Sequence, residues 1–198
     1  MTSGSRNTIR QQTAAARQPR GRRWLFLSGL LLLWLLTAGR AAAHTSETPA
    51  AAEDLIRSAM VYNFCKFIDW PVDNDPLVLG VLSDAAEIPD FSSIIGKIVR
   101  GSRIDVRRLA SPDEMDGCDL VFIDRGQERR LAEALRYSRT RAILTISEID
   151  DFCLRGGIIQ LVERRGKLRF FVNRKAADQA SLSLSSQLLK MAKIVEGD

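Results

Sequence analysis

Along residues 51–69 the apolar positions Ile56, Met60, Phe64 and Phe67 recur at helical spacing, with the polar Asn63 among them. That periodicity predicts a helix with one stripe turned inward. Pro71 closes it, because the residue before a proline is driven out of the α region. "LVLGVL" (77–82) is nearly all apolar and bounded by polar turns, the pattern of a strand covered on both faces. "DLVFID" (119–124) and "AILTIS" (142–147) read the same way. "RIDVRRL" (103–109) alternates Ile104 and Val106 with charges, as a half-buried strand does. Short helices are expected around 90–95 and over 148–155, the second ending at Gly156-Gly157. A longer one is expected over 126–137, with Asp124 as its N-cap. "GIIQLVE" and "KLRFFVN" form a hairpin through Arg164-Arg165-Gly166-Lys167, where Gly166 takes a positive φ. The last helix is expected over 185–196, with Ser185 as N-cap and a stripe of Leu188, Met191 and Val195. Buried strands alternating with helices argue for an α/β fold. It has three layers: a mostly parallel sheet, helices on both faces, and a C-terminal antiparallel hairpin.

Upstream of this pattern, residues 1–43 hold seven arginines and no acid. An uncharged, leucine-dominated run of 15 residues (Trp24–Ala38) leads to the small residues Ala41-Ala42-Ala43. These are the parts of a secretory signal peptide, with cleavage expected between Ala43 and His44. An uncleaved anchor is the alternative, but the run is shorter than the roughly 20 residues a span needs. "RRWLF" resembles a twin-arginine signal, whereas the leucine-rich run favours the general secretory route. The expected organisation is leader 1–43, flexible lead-in 44–54 and a single domain 55–198, with the mature protein exported.

Removing the leader reverses the charge. The whole chain has 29 Lys+Arg and 24 Asp+Glu, a net +5. With seven of the basic residues in the leader, 22 remain against 24 acids, about −2. A basic balance pointing to nucleic acid leaves with the leader.

Catalytic patterns are missing. The one histidine, His44, sits at the expected new N-terminus, a poor place for a general base. No nucleophile elbow, Walker loop or dinucleotide-binding glycine motif occurs. Cys65, Cys118 and Cys153 are too widely spaced for a metal or dithiol site, and which of them pair, if any, is open. Asp113/Glu114 and Asp150/Asp151 sit where acids complement local helix starts. Lys66 reads as a solvated lysine, and the arginines of 164–169 as charges guarding a sheet edge. No cofactor, metal or catalytic residue is assigned. A small-ligand module would use the crevice at the carboxyl ends of the parallel strands, lined by Asp84, Asp124 or Ser147.

Five segments together, "YNFCKFIDWP", "GKIVRGSRIDVRRLAS", "CDLVFID", "LTISEIDDFCLRGGIIQLVERRGKLRFFVN" and "KAADQASLSLSSQLLKMAKIV", resemble the YfiR/HmsC-like periplasmic proteins over roughly 58–195. The signature is Tyr62-Asn63-Phe64 with Trp70-Pro71, and Gly156-Gly157 with Arg169-Phe170 and Asn173. The resemblance implies a non-catalytic α/β repressor. Its partner would be the outward-facing sensor domain of an inner-membrane diguanylate cyclase or another sensor protein, and its effect lower cyclic-di-GMP, exopolysaccharide and biofilm. Self-association as a homodimer is left open. The resemblance also implies disulfides, yet only Cys118 stands at a family-like cysteine position. Asn63 is expected to be a buried amide bonded to backbone groups, fixing the first helix on the sheet.

Overall fold

Helix α1 runs Pro49–Phe67 in the computed structural model, which describes residues 49–86 and 88–197. The expected leader and the Ala43–His44 junction lie outside the described residues. Residues 49–54, expected as flexible lead-in, are instead the first turns of α1. Its buried face passes through Ser58, Val61, Phe64 and Cys65, continuing to Ile68. That face is rotated from the expected stripe, so Ile56 is 53% exposed and Asn63 stands in solvent. The Ser58 hydroxyl is buried because it donates to the Asp90 carbonyl at 2.9 Å.

The helix stops before Trp70 because the chain turns extended at β1 (Ile68–Asp69). The sheet strands then follow: β2 (Leu77–Leu82), β3 (Ile98–Val99), β4 (Ser102–Leu109), β5 (Leu120–Ile123), β6 (Leu144–Ser147), β7 (Ile159–Arg164) and β8 (Lys167–Asn173). Helix α2 (Leu131–Ser138) lies between β5 and β6. Helix α3 (Arg174–Gln179), strand β9 (Ser183–Leu184), helix α4 (Ser186–Met191) and strand β10 (Lys193–Val195) complete the chain. Eight strands form one sheet in the order β10-β8-β7-β6-β5-β2-β4-β3; β1 and β9 make a separate antiparallel pair. Strands β4, β2, β5, β6 and β7 are mutually parallel, and β7–β8 is the expected antiparallel hairpin.

Period-two alternation divides the core between the faces. Leu79, Val81, Leu120, Phe122, Leu144 and Ile146 pack with Val61 and Phe64 of α1. Leu82, Val121 and Ile123 pack with Leu131, Ala134 and Leu135 of α2. Gly80 allows this second face to close: a Cβ there would sit 2.5 Å from Leu109 Cδ1 and 2.8 Å from Cys118 Sγ.

The expected helix over 126–137 forms as a 3₁₀ segment, Arg125–Arg130, leading into α2. Asp124 caps it by accepting from the Arg125 N–H at 2.8 Å. The expected helix over 148–155 is a run of turns instead. Asp151 at φ 56° and Gly156 at φ 97° break any helical path. At the far end the expected helix 185–196 stops at Met191, and Lys193–Val195 pairs parallel with β8. Its Ser185 N-cap is as expected, accepting from the Leu188 N–H at 3.2 Å. The β-branched Ile194 and Val195 suit the open sheet edge, and strand pairing there outweighs the helical periodicity. The hairpin turn has positive φ at both Arg165 and Gly166, the two-residue turn whose twist matches the strands.

Candidate functional site

The carboxyl ends of the parallel strands carry the polar residues the sequence suggested, each held by a different partner. Ser83, just past β2, donates its hydroxyl to Asp124 Oδ2 at 2.9 Å. Gln127 Nε2 donates to Asp84 Oδ1 at 2.7 Å. The Ser147 hydroxyl donates to the Ile123 carbonyl at 2.7 Å and accepts from the Ile149 N–H at 3.0 Å. Asp84 and Asp124 therefore meet in one cluster that ties β2 to β5, while Ser147 is buried at the end of β6.

Beside this cluster is a cavity of about 210 Å³ that includes Arg57, Arg125, Glu148 and Glu163 in its lining. Glu148, mostly buried, accepts from Arg57 Nε at 2.7 Å and faces Arg125 Nε at 3.4 Å. Arg57 also pairs with Asp54 and lies over the Phe122 ring at 5.8 Å. Burial works against the Arg57 charge, but Glu148, Asp54 and Glu53 outweigh it and hold the guanidinium pKa above its ordinary value. The ion pair locks α1 to the β6 end of the sheet. Sequence reading missed both partners, because neither lies in a recognisable motif.

A larger concavity of about 680 Å³ opens between α1, the first half of β8 and the start of β10. Met60, Leu168 and Phe170 line it together with Arg164, Lys167, Arg169 and Lys193. β10 pairs only with Phe171–Asn173. The expected guarded edge is thus limited to Lys167–Phe170.

The signature residues have distinct surroundings. The Trp70 indole donates to the Asp119 carbonyl at 3.0 Å. The Asp119 carboxylate accepts from Asn74 Nδ2 at 2.6 Å and the Val78 N–H at 2.7 Å. Trp70 thereby joins "CDLVFID" to the loop ahead of β2, and Pro71 lies exposed beside it. A Cβ on Gly157 would collide with the Phe152 ring. Asn173 is fully buried, donating to the Cys153 carbonyl at 2.8 Å and accepting from the Ala176 N–H at 3.0 Å as the cap of α3. The buried, backbone-bonded amide expected at Asn63 is found here instead, where it caps α3 rather than fixing α1 on the sheet. Asn63 is exposed, and its amide oxygen accepts from Lys66 Nζ at 3.2 Å; a helix position between two buried ones can still face water.

The three cysteines are free and buried. Burial pushes the Cys65 and Cys153 thiols up to about 12. It also raises Cys118, against the opposing pull of Arg107, whose Nη2 is 3.2 Å from the sulfur. Among the described residues no three groups are placed to hold a metal ion, and no helix is long and apolar enough to cross a membrane.

A family model described as YfiR/HmsC-like matches residues 54–193, from α1 to the first residue of β10. No curated protein matches the chain.

Proposed function

The chain belongs to the YfiR/HmsC-like family, and from that premise we propose that it is a non-catalytic periplasmic regulator. It binds the outward-facing sensor domain of an inner-membrane diguanylate cyclase and holds the enzyme inactive, so cyclic-di-GMP and matrix output stay low. The family match across nearly the whole fold carries this reading. The Asp84 and Asp124 carboxylates and the Ser147 hydroxyl are already engaged by Gln127, Ser83 and the Ile123 carbonyl, which supports it. A regulator of this kind acts by preferring one of its target's two states. A nearly complete switch needs about a 10⁴-fold difference in affinity between them.

Deleting the gene is expected to raise cellular cyclic-di-GMP and matrix production. A copy lacking residues 1–43 is expected not to complement, because cytoplasmic protein does not reach an outward-facing domain. Unchanged cyclic-di-GMP in the deletion strain would overturn the reading.

The cavity beside Arg57 and Glu148 favours a second reading, a small-ligand sensor. Its volume suits a compact polar solute, with Arg125 and Glu163 offering opposite charges. Thermal-shift screening of the purified protein against small periplasmic solutes separates the two. Tight solute binding together with unchanged cyclic-di-GMP on deletion supports the sensor.

A further inference from the structure

The hairpin tip and the adjoining edge carry Arg164, Arg165, Lys167, Arg169 and Lys193. None of the five makes an ion pair among the described residues, whose salt bridges involve other arginines. Four of them line the 680 Å³ groove, and no acid does. A second concavity of about 360 Å³ is lined by cations alone. Unmatched positive charge is thus concentrated on one rim, in a mature chain whose overall balance is slightly negative.

Beneath that rim the sheet is unfinished. In an antiparallel pair closed by a two-residue turn, alternate residues direct their N–H and C=O groups away from the partner strand. Arg164 and Lys167 face each other across the turn, which directs the main-chain groups of Leu168 off the sheet toward the groove. Among the described residues no strand covers Lys167–Phe170, because β10 begins opposite Phe171. Leu168 and Phe170 alternate with Lys167 and Arg169 along this stretch, and Ile56 and Met191 stand 53% and 56% exposed beside it.

Resting on the reading that the protein acts by binding a partner, we propose that this groove takes an extended acidic segment of that partner as an added strand along β8. Four free residues at about 3.3 Å each offer a short docking ladder. Backbone bonds supply the pairing, Leu168, Phe170 and Met60 receive alternate apolar side chains, and the cations select Glu or Asp on the other face. A second copy of this chain fits badly, since a two-fold contact here sets Arg and Lys against Arg and Lys. A flat lipid surface could meet the cations but not the recessed backbone.

The purified full chain is titrated with a synthetic octapeptide alternating Glu and Val, with its Lys-Val counterpart, and with the Glu-Val peptide N-methylated on consecutive central residues so that neither edge can pair. The Glu-Val peptide is expected to bind saturably. The other two, and the exposed-site variant Lys167→Glu/Arg169→Glu, are expected to raise Kd at least tenfold. No binding of the Glu-Val peptide overturns the proposal, as does equal binding of the N-methylated peptide or of the charge-reversed protein. So does binding of phosphatidylglycerol vesicles in place of the peptide. The peptide changes leave the protein untouched, so a folding defect in the variant cannot decide the result. If the charge-reversed protein still restores low cyclic-di-GMP to a deletion strain, the groove assignment fails while the regulator reading stands. If deletion leaves cyclic-di-GMP unchanged, that reading fails whatever the peptides do.

Discussion

Asn63 and Asn173 carry the same amide into opposite surroundings, and their substitutions should separate accordingly. Asn173→Ala leaves the Ala176 N–H without its cap and the Cys153 carbonyl with the long 3.3 Å bond from the Gly156 N–H in place of two bonds. Leaving such a group unpaired is expected to cost about 1–3 kcal/mol, read as a lowered denaturant midpoint. Asn63→Leu alters one exposed side chain and is expected to stay within about 0.5 kcal/mol. A large loss there would return Asn63 to the interior. The cysteines allow a pH test. Cys65 and Cys153 have folded pKa values near 12, above the ordinary value of 9.0. Above pH 9 the unfolded chain releases these protons and the folded one retains them, so stability falls as pH rises between 9 and 12. The slope approaches about 1.4 kcal/mol per pH unit for each thiol. Below pH 9 the two thiols contribute no slope. Cys65→Val/Cys153→Val is expected to flatten the decline in chemical denaturation, and an unaltered slope would show that the thiols are not the source.

At the scale of elements, the loop between β6 and β7 is shaped by Gly156 and Gly157 for different reasons. Gly156 holds a positive φ, whereas Gly157 makes room for the Phe152 ring. Gly157→Ala is therefore expected to cost about 1–3 kcal/mol through overpacking of a filled core, visible as a lower Tm. A paired Phe152→Leu change should recover part of the loss. Strand β2 and the hairpin strand β8 were legible to the residue, because apolar runs bounded by turn residues leave little ambiguity. The 148–155 and 193–195 segments were not. A left-handed Asp151 and an open position beside β8 are decided by neighbours distant in sequence. Helix α3 escaped for a similar reason: six residues with two buried alanines give too little periodicity to register. In the site, the places of Asp84, Asp124 and Ser147 at strand ends were legible, but the cavity expected of them is lined by other residues. The Arg57–Glu148 lock and the β8 groove were not, since each needs the register of strands that only the folded sheet supplies.

For the molecule as a whole, the two hydrophobic layers depend on different stretches of chain. The layer under α2 closes with segments from the middle of the sequence. The layer under α1 also draws on Ala176, Ala177, Leu182 and Leu188 from its end. The small β1–β9 ladder joins the same extremes, pairing Ile68 with Leu184, and the Ser185 N–H reaches the Phe67 carbonyl at 2.9 Å. Such a clasp sets an order of events during synthesis. The first helix to emerge has no finished surface to settle on until the last fifteen or so residues of the domain are present. Closing so distant a contact is slow relative to local pairing. A chain ending at residue 180 is expected to lack a cooperative unfolding transition, although every strand of the eight-stranded sheet except β10 is complete; a sharp transition in that fragment would contradict the idea. If the protein is exported as proposed, a clasp that closes only with the last residues would keep the nascent chain loose enough to thread an export channel.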